Sequence, residues 1–174
     1  MLMNLTDIFY TEGKVLQSSE PMHLDTVTIY GESHQILDAT PVNYLFKNEG
    51  KGVVSVQIKT SFTLLLACDR CLKEVRYPMK IDSTTRVYAP EKKLPDSEED
   101  ENCFMDGYQL KVDDLLLSNI VLNWPMKILC REDCKGICKI CGKDLNTGSC
   151  DCDTFVPNPA LAGIKEIFNA NKEV

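Results

Sequence analysis

Alternating apolar and polar positions dominate residues 41–89. Apolar side chains recur at every second position in four stretches, Val42 to Phe46, Val54 to Ile58, Phe62 to Leu66 and Val75 to Ile81. A period of two places alternate side chains on one face of a strand. Turn residues at Asn48–Gly52 separate the first two stretches. The pattern predicts a meander of long antiparallel strands, with Cys68 and Cys71 at the tip of one hairpin.

Residues 112–124 show a helical pattern instead. The apolar side chains of one broad helix face are Leu115, Leu116, Ile120, Val121 and Trp124. Asp113 and Asp114 suit the first turn, because acids stabilise the positive end of the helix dipole. Pro125 ends the helix. A further short helix is predicted within 157–174, beyond two prolines.

Composition and charge narrow the class of protein. The chain has 174 residues, of which 44% are hydrophobic and 26% charged, and its net charge is −7. This balance argues against a surface coated with nucleic-acid contacts, although one basic face is compatible with it. No signal-peptide pattern is seen, and the longest apolar run, at 62–67, is too short to cross a bilayer. We therefore expect a cytoplasmic protein without a membrane partner.

Six of the nine cysteines fall between positions 130 and 152. In a reducing compartment, such clusters are more often metal ligands or catalytic thiols than disulfides. Four of them, Cys138, Cys141, Cys150 and Cys152, have the C-x-x-C and C-x-C spacing that brings four sulfurs around one zinc ion. A closed four-sulfur shell leaves no position for water, so this zinc would be structural. The alternatives are reduced thiols that pack a small lobe, or a redox pair.

A second C-x-x-C pair, Cys68 and Cys71, cannot close a zinc site alone. Its natural complement is Cys130 and Cys134, which would give a possible second site. A rival arrangement pairs it with Cys138 and Cys141. Cys103 is left over and is expected to be a free thiol.

Basic residues accompany both cysteine groups. The candidate phosphate contacts are Arg70, Lys73, Arg76, Lys127, Arg131, Lys135, Lys139 and Lys143. If the two groups meet, these side chains could form one basic face for RNA. An equally good interpretation is that they are ordinary solvated surface cations.

Together these patterns predict an α+β fold. An antiparallel β-rich domain spans 1–125, with a flexible acidic loop at 90–102 and the helix at about 112–124. A cysteine-rich, zinc-ribbon-like lobe follows at 126–156, and a C-terminal helix at 157–174. The loop prediction rests on two prolines and on five acids between Asp96 and Glu101.

No catalytic motif is present. The sequence lacks a phosphate-binding glycine loop, a G-x-S-x-G nucleophile elbow and an H-E-x-x-H metal motif. We therefore expect no enzyme and no small-molecule substrate. The alternative class is a thiol redox sensor or oxidoreductase that uses the C-x-x-C pairs.

Three stretches of the sequence resemble the YceD family, the large ribosomal RNA subunit accumulation proteins. They are CDRCLKEVRYP, LNWPMKILC and REDCKGICKICGKDLNTGSCDCD. The resemblance implies a bacterial, cytoplasmic factor for synthesis, processing or accumulation of large-subunit ribosomal RNA. Its partner would be precursor ribosomal RNA or a basic large-subunit ribosomal protein. The resemblance supplies no catalytic residues.

Overall fold

The computed structural model describes residues 1–92 and 103–152. The chain divides into two compact units, one of Met1–Ala67 with Glu74–Ile128 and one of Cys68–Lys73 with Leu129–Val174. Most of the predicted acidic loop, from residue 93 to 102, lies outside the described residues. The predicted helix at 157–174 does so as well.

The first unit contains nine described strands and two described helices. In chain order they are β1 (Leu2–Asn4), α1 (Thr6–Phe9), β2 (Val15–Glu20), β3 (Thr26–Ile29), β4 (Glu32–Leu37), β5 (Val42–Gly50), β6 (Val53–Ala67), β7 (Glu74–Tyr88), β8 (Met105–Asp106), β9 (Gln109–Lys111) and α2 (Val112–Leu122). The prediction of a mostly antiparallel β fold with few helices is confirmed. Within the described ranges, no helix has the length and apolar character needed to span a membrane.

Strand β6 organises a six-stranded antiparallel sheet. Strand β7 pairs with one edge of β6 over its whole length, from Val53↔Tyr88 to Ala67↔Glu74. On the other edge, β5 pairs with Val53–Lys59, and β4 pairs with Thr63–Leu65. Strands β2 and β3 extend the sheet beyond β5 and β4. Two partners thus share the second edge of one long strand.

The two faces of this sheet differ in burial. Val54, Val56 and Ile58 of β6 are fully buried, and they alternate with half-exposed residues. The residues of the buried face pack in the same hydrophobic core as Leu115, Leu116 and Ile120, which are buried residues of α2. A short three-stranded sheet, in the order β1-β9-β8, adds Leu110 to this core. The six-stranded sheet therefore has one face in the core and one exposed face.

Asn48 is a buried polar residue within the core-facing side of β5. Its Nδ2 donates to the carbonyls of Ile8, Phe9 and Thr11, at 2.7, 3.0 and 3.0 Å. Its Oδ1 accepts from the N–H of Gly50 at 2.7 Å. The side chain thereby fixes the end of α1 and the following turn onto β5, although the sequence pattern predicted only a turn at this position.

Candidate metal centre

Two equivalent C-x-x-C turns form the basis of the second unit. In the first turn, the N–H of Cys68 donates to the carbonyl of Lys73 at 2.8 Å, and the N–H of Leu72 donates to the carbonyl of Cys68 at 2.9 Å. The second turn repeats both bonds at positions seventy residues later, from Cys138 to Lys143 at 2.8 Å and from Gly142 to Cys138 at 2.9 Å. Both turns therefore project their two sulfurs in the same way.

The residue after each C-x-x-C closes the turn in the left-handed region of backbone conformation. Gly142 has a φ of 72°, and Leu72 has a φ of 59°. Glycine adopts this conformation without steric strain, whereas a leucine does not. The first turn thus holds a strained residue where the second holds a relaxed one.

Four cysteines meet at the first turn, and we name them cluster B: Cys68, Cys71, Cys130 and Cys134. Their Sγ atoms all lie within 4.8 Å of one another. The Sγ–Sγ distances are 3.9 Å for Cys68 and Cys134, and 3.5 Å for Cys71 and Cys130. Sulfurs bound tetrahedrally at 2.3 Å to one ion are about 3.8 Å apart. Cluster B could therefore hold a metal ion.

The second turn brings together cluster A, which consists of Cys138, Cys141, Cys150 and Cys152. These Sγ atoms also lie within 4.8 Å of one another, so cluster A could hold a metal ion too. The N–H of Ile140 donates to the Sγ of Cys138 at 3.4 Å. Cluster A is more exposed than cluster B, since only Cys138 is buried, whereas Cys130 is the only exposed member of cluster B. All nine cysteines are free thiols, and the exposed Cys103 belongs to neither cluster.

Backbone donors favour the thiolate form at the first cysteine of each turn. Burial opposes ionisation of Cys68, but N–H groups of Arg70, Cys130 and Cys71 outweigh it and lower its pKa to about 6. At Cys138, the N–H groups of Cys141 and Ile140 lower the pKa to about 6. These donors prepare one strong metal ligand in each cluster.

Neighbouring thiols raise the pKa of other cysteines in each cluster. The neighbouring thiol of Cys71, together with burial, raises the pKa of Cys130 to about 12. Cys141 and burial likewise raise the pKa of Cys152 to about 12. Four thiolates so close together repel each other, and a bound divalent cation relieves that repulsion.

A polar network supports cluster B from one side. The Nδ2 of Asn146 donates to the Sγ of Cys134 at 3.6 Å and to Oδ1 of Asp144 at 2.7 Å. The other carboxylate oxygen of Asp144 pairs with Nζ of Lys73 at 2.6 Å. The hydrogen bond from Lys73, followed by those from Asn146, lowers the pKa of Asp144 to about 2. Asp144 and Asn146 orient a sulfur ligand, a role that sequence reasoning missed.

Gly136 allows two segments of the second unit to approach closely. It has a φ of 81°, and a Cβ atom there would lie 2.8 Å from the carbonyl oxygen of Arg70. That carbonyl accepts from the N–H of Ile137 at 3.0 Å, and the guanidinium of Arg70 donates to the carbonyl of Cys134 at 2.5 Å. Any side chain at position 136 would push these segments apart.

All eight basic residues named as candidate phosphate contacts are exposed. Six lie in the second unit, while Arg76 and Lys127 belong to the first. Four of the six bind within the second unit: Arg70 to a carbonyl, Lys73 to Asp144, Arg131 to Asp133 and Lys143 to the carbonyl of Ser149. Lys135 and Lys139 have no side-chain ion pair or hydrogen bond with any residue in the described ranges.

The geometry shows which cysteine groups meet. Cys68 and Cys71 lie with Cys130 and Cys134, whereas the rival grouping with Cys138 and Cys141 does not form. Sequence spacing had left both arrangements open. The tertiary fold decides between them, because it brings two segments that are far apart in the sequence to one place.

Comparison with known protein families identifies the class of protein. A family model described as "Large ribosomal RNA subunit accumulation protein YceD" matches residues 56–168. This match covers more than half of the chain and includes all eight clustered cysteines. The chain belongs to the YceD family, so the resemblance seen in the sequence is confirmed. Neither a curated protein nor a solved structure gives a significant match.

Proposed function

We propose that this protein is a non-enzymatic ribosome-biogenesis factor that supports synthesis, processing or accumulation of large-subunit ribosomal RNA. Membership of the YceD family is the observation that carries this proposal. The family description refers to accumulation of an RNA and to no reaction. The eight clustered thiols support a binding role, since they form two four-sulfur groups that could each saturate a metal ion.

The metal in both clusters is zinc, and its role is structural. Thiolates are soft ligands, and a tetrahedral set of four suits zinc. A shell of four protein ligands leaves no position for a reacting water. Few apolar side chains are available to stabilise this zinc-ribbon-like lobe, since the larger ones between 135 and 150 are Ile137, Ile140 and Leu145, and Ile140 is 58% exposed. Metal binding would supply the stability that burial cannot.

The partner is precursor ribosomal RNA or a basic large-subunit ribosomal protein. The net charge of −7 suits a basic protein, whereas RNA binding would require a local basic face. Among the six cations of the cysteine-rich unit that the structure describes, Lys135 and Lys139 are the best candidates for RNA contacts, since the other four already bind groups of that unit. Salt-dependent binding to RNA and to the ribosomal protein separates the two partners.

Removal of the protein tests the proposed function. The gene is deleted or depleted in the source organism, and ribosomal RNA is quantified by hybridisation while the protein is followed through sucrose gradients. We expect less large-subunit RNA relative to small-subunit RNA, and co-sedimentation of the protein with large-subunit precursors. Unchanged RNA ratios together with a protein that stays at the top of the gradient would show that the proposed function is wrong.

The redox alternative has less support. The family match does not favour redox chemistry over metal binding. In the described structure each C-x-x-C pair lies within a group of four thiols, whereas a redox-active pair needs only its own two cysteines. Low-pKa thiols at Cys68 and Cys138 suit metal binding equally well.

A further inference from the structure

The exposed face of the six-stranded sheet has an unusual charge for this chain. Strand pairing places outward-facing residues in rows across the sheet. From one end, the rows are Val15–Lys47–Ser55–Arg86, Gln17–Leu45–Gln57–Thr84, Ser19–Asn43–Lys59–Asp82, Ser61–Lys80, Leu37–Thr63–Pro78 and Gln35–Leu65–Arg76. The intervening residues of β6 face the core. We call this set of rows the outer face.

Cations outnumber acids on the outer face. It carries Lys47, Lys59, Arg76, Lys80 and Arg86, against Asp82 and, at its margins, Glu49 and Glu74. The whole chain shows the reverse balance, with 19 Lys and Arg against 26 Asp and Glu. This concentration of positive charge is what a phosphate-binding face requires in an otherwise acidic protein.

Three of these cations are free to meet a ligand. Lys47, Arg76 and Lys80 are exposed and have no side-chain partner among residues 1–92 and 103–152. The other two form surface ion pairs, Lys59 with Asp82 at 3.2 Å and Arg86 with Glu49 at 3.0 Å. Exposed pairs of this kind are weak, so both cations can exchange a carboxylate for a phosphate.

The polar residues between these cations are mainly uncharged hydrogen-bonding groups. Two adjoining depressions, of about 420 and 320 Å³, share Asn43 and Lys59 in their walls. The first also contains Gln17, Ser19 and Gln57, and the second contains Thr40, Ser61 and Lys80. Amides and hydroxyls of this type bind phosphate oxygens and ribose 2′-hydroxyls.

No residue in the six rows is aromatic. Sheets that bind single-stranded RNA stack unpaired bases on aromatic side chains. A face with cations, amides and hydroxyls but no aromatic ring suits the backbone of a double helix instead. The outer face thus has the chemistry to recognise duplex RNA by its shape and charge.

We propose that the outer face binds the sugar–phosphate backbone of duplex RNA through Lys47, Arg76 and Lys80. This proposal rests on the proposed function, since it assumes that RNA is the partner rather than a ribosomal protein. It also moves the principal RNA contact from the cysteine-rich unit to the sheet, where the free cations are concentrated.

Titration of labelled RNA tests the proposal with the full zinc-loaded chain. The probes are a 20-base-pair RNA duplex, one of its strands alone and a DNA duplex of the same sequence, each at several salt concentrations. The test variant combines K47Q, R76Q and K80Q. The control variant combines K14Q, K51Q and K111Q, which removes three cations that lie outside the six rows and that are not candidate phosphate contacts. Circular dichroism and thermal melting check that both variants fold.

We expect the protein to bind the RNA duplex more tightly than the single strand or the DNA. Each lost phosphate contact lowers the slope of log K against log salt by about 0.9, so the test variant should lose about 2.7 from the slope. At 0.1 M salt, this corresponds to binding that is roughly 500-fold weaker. The control variant should bind within about twofold of the wild type.

Three results would overturn the proposal. In the first, the test and control variants lose the same affinity for duplex RNA. In the second, the wild type does not bind duplex RNA. In the third, K47Q, R76Q and K80Q together abolish binding to a basic large-subunit ribosomal protein. None of these refutes the proposed function, which the ribosomal RNA measurement tests separately. If that measurement fails while the test variant alone loses duplex RNA binding, the sheet proposal stands and the cellular role is wrong.

Discussion

Replacement of Cys134 by serine should remove the metal from cluster B and should destabilise the chain only when zinc is present. Cys134 is buried, and its Sγ lies 3.9 Å from that of Cys68. A serine oxygen is a poor substitute for a thiolate at a four-sulfur zinc site. Three cysteines would remain, and the cross-link between two distant segments would be weakened or lost.

The size of this effect follows from the loop that the metal closes. Cluster B joins positions that are 59 and 66 residues apart. By the chain-entropy relation for a covalent cross-link, closure of a loop of that length is worth about 4 kcal/mol. The loop from Cys138 to Cys152 is much shorter, and its closure is worth about 3 kcal/mol. Loss of the long-range cross-link should therefore be the more damaging.

Urea denaturation with zinc and with a chelator measures the effect. With zinc, we expect Cys134→Ser to lower the free energy of unfolding by an amount close to the loop estimate. With chelator, the variant and the wild type should unfold alike, because neither carries the cross-link. Cys103→Ser is the matched control, since this exposed thiol belongs to neither cluster.

The reasoning fails if Cys134→Ser retains two metal ions per chain and unfolds like the wild type in zinc. It also fails if the loss of stability is the same with chelator, because that result would assign the effect to packing of the buried side chain and not to the metal.

Three further predictions follow from local geometry. Gly136→Ala should weaken zinc binding at least tenfold in a chelator competition, because the new Cβ would lie 2.8 Å from the carbonyl oxygen of Arg70 and the backbone would also be strained. Gly142→Ala should have a smaller effect, because it adds only backbone strain of about 1 kcal/mol in open space. Asn48→Ala should lower the unfolding free energy by about 2 kcal/mol in urea melts, whereas exposed Asn43→Ala on the same strand should change it by less than about 0.5 kcal/mol. Calorimetry at pH 7 in several buffers should show release of at least one proton per zinc, since Cys130 and Cys152 have a raised pKa, and zinc affinity should fall as the pH falls.

The strands were largely predictable from sequence, because a period of two directly reports one buried face. The segment from Val42 to Phe46 and the hairpin around Cys68 and Cys71 lie where the alternation placed them. The helix was found, but its face was only partly correct. Val121 is 48% exposed, and Asn119 is buried instead, since its Nδ2 donates to the carbonyl of Leu115 at 2.7 Å. This hydrogen bond within the helix satisfies the buried amide of Asn119. A pattern of apolar residues cannot predict the burial of such a polar side chain.

The sequence predicted that the clustered cysteines form groups of four, but it did not determine which cysteines join Cys68 and Cys71. Spacing within the run from Cys138 to Cys152 is local, so it constrains one group closely. The partners of Cys68 and Cys71 depend on a contact across about sixty residues, which spacing cannot determine. The roles of Asp144 and Asn146 were missed for a different reason. The sequence DLNTG predicts a turn, and only the folded chain shows that this turn bonds to a sulfur and to Lys73.

Native mass spectrometry after brief treatment with iodoacetamide tests most directly whether two structural metal sites stabilise the chain. We predict two zinc ions per chain and one alkylated cysteine, Cys103, because the other eight thiols are metal ligands. A metal-free protein with several alkylated cysteines, or with disulfides inside the C-x-x-C pairs, would contradict the structural metal sites and favour thiol chemistry.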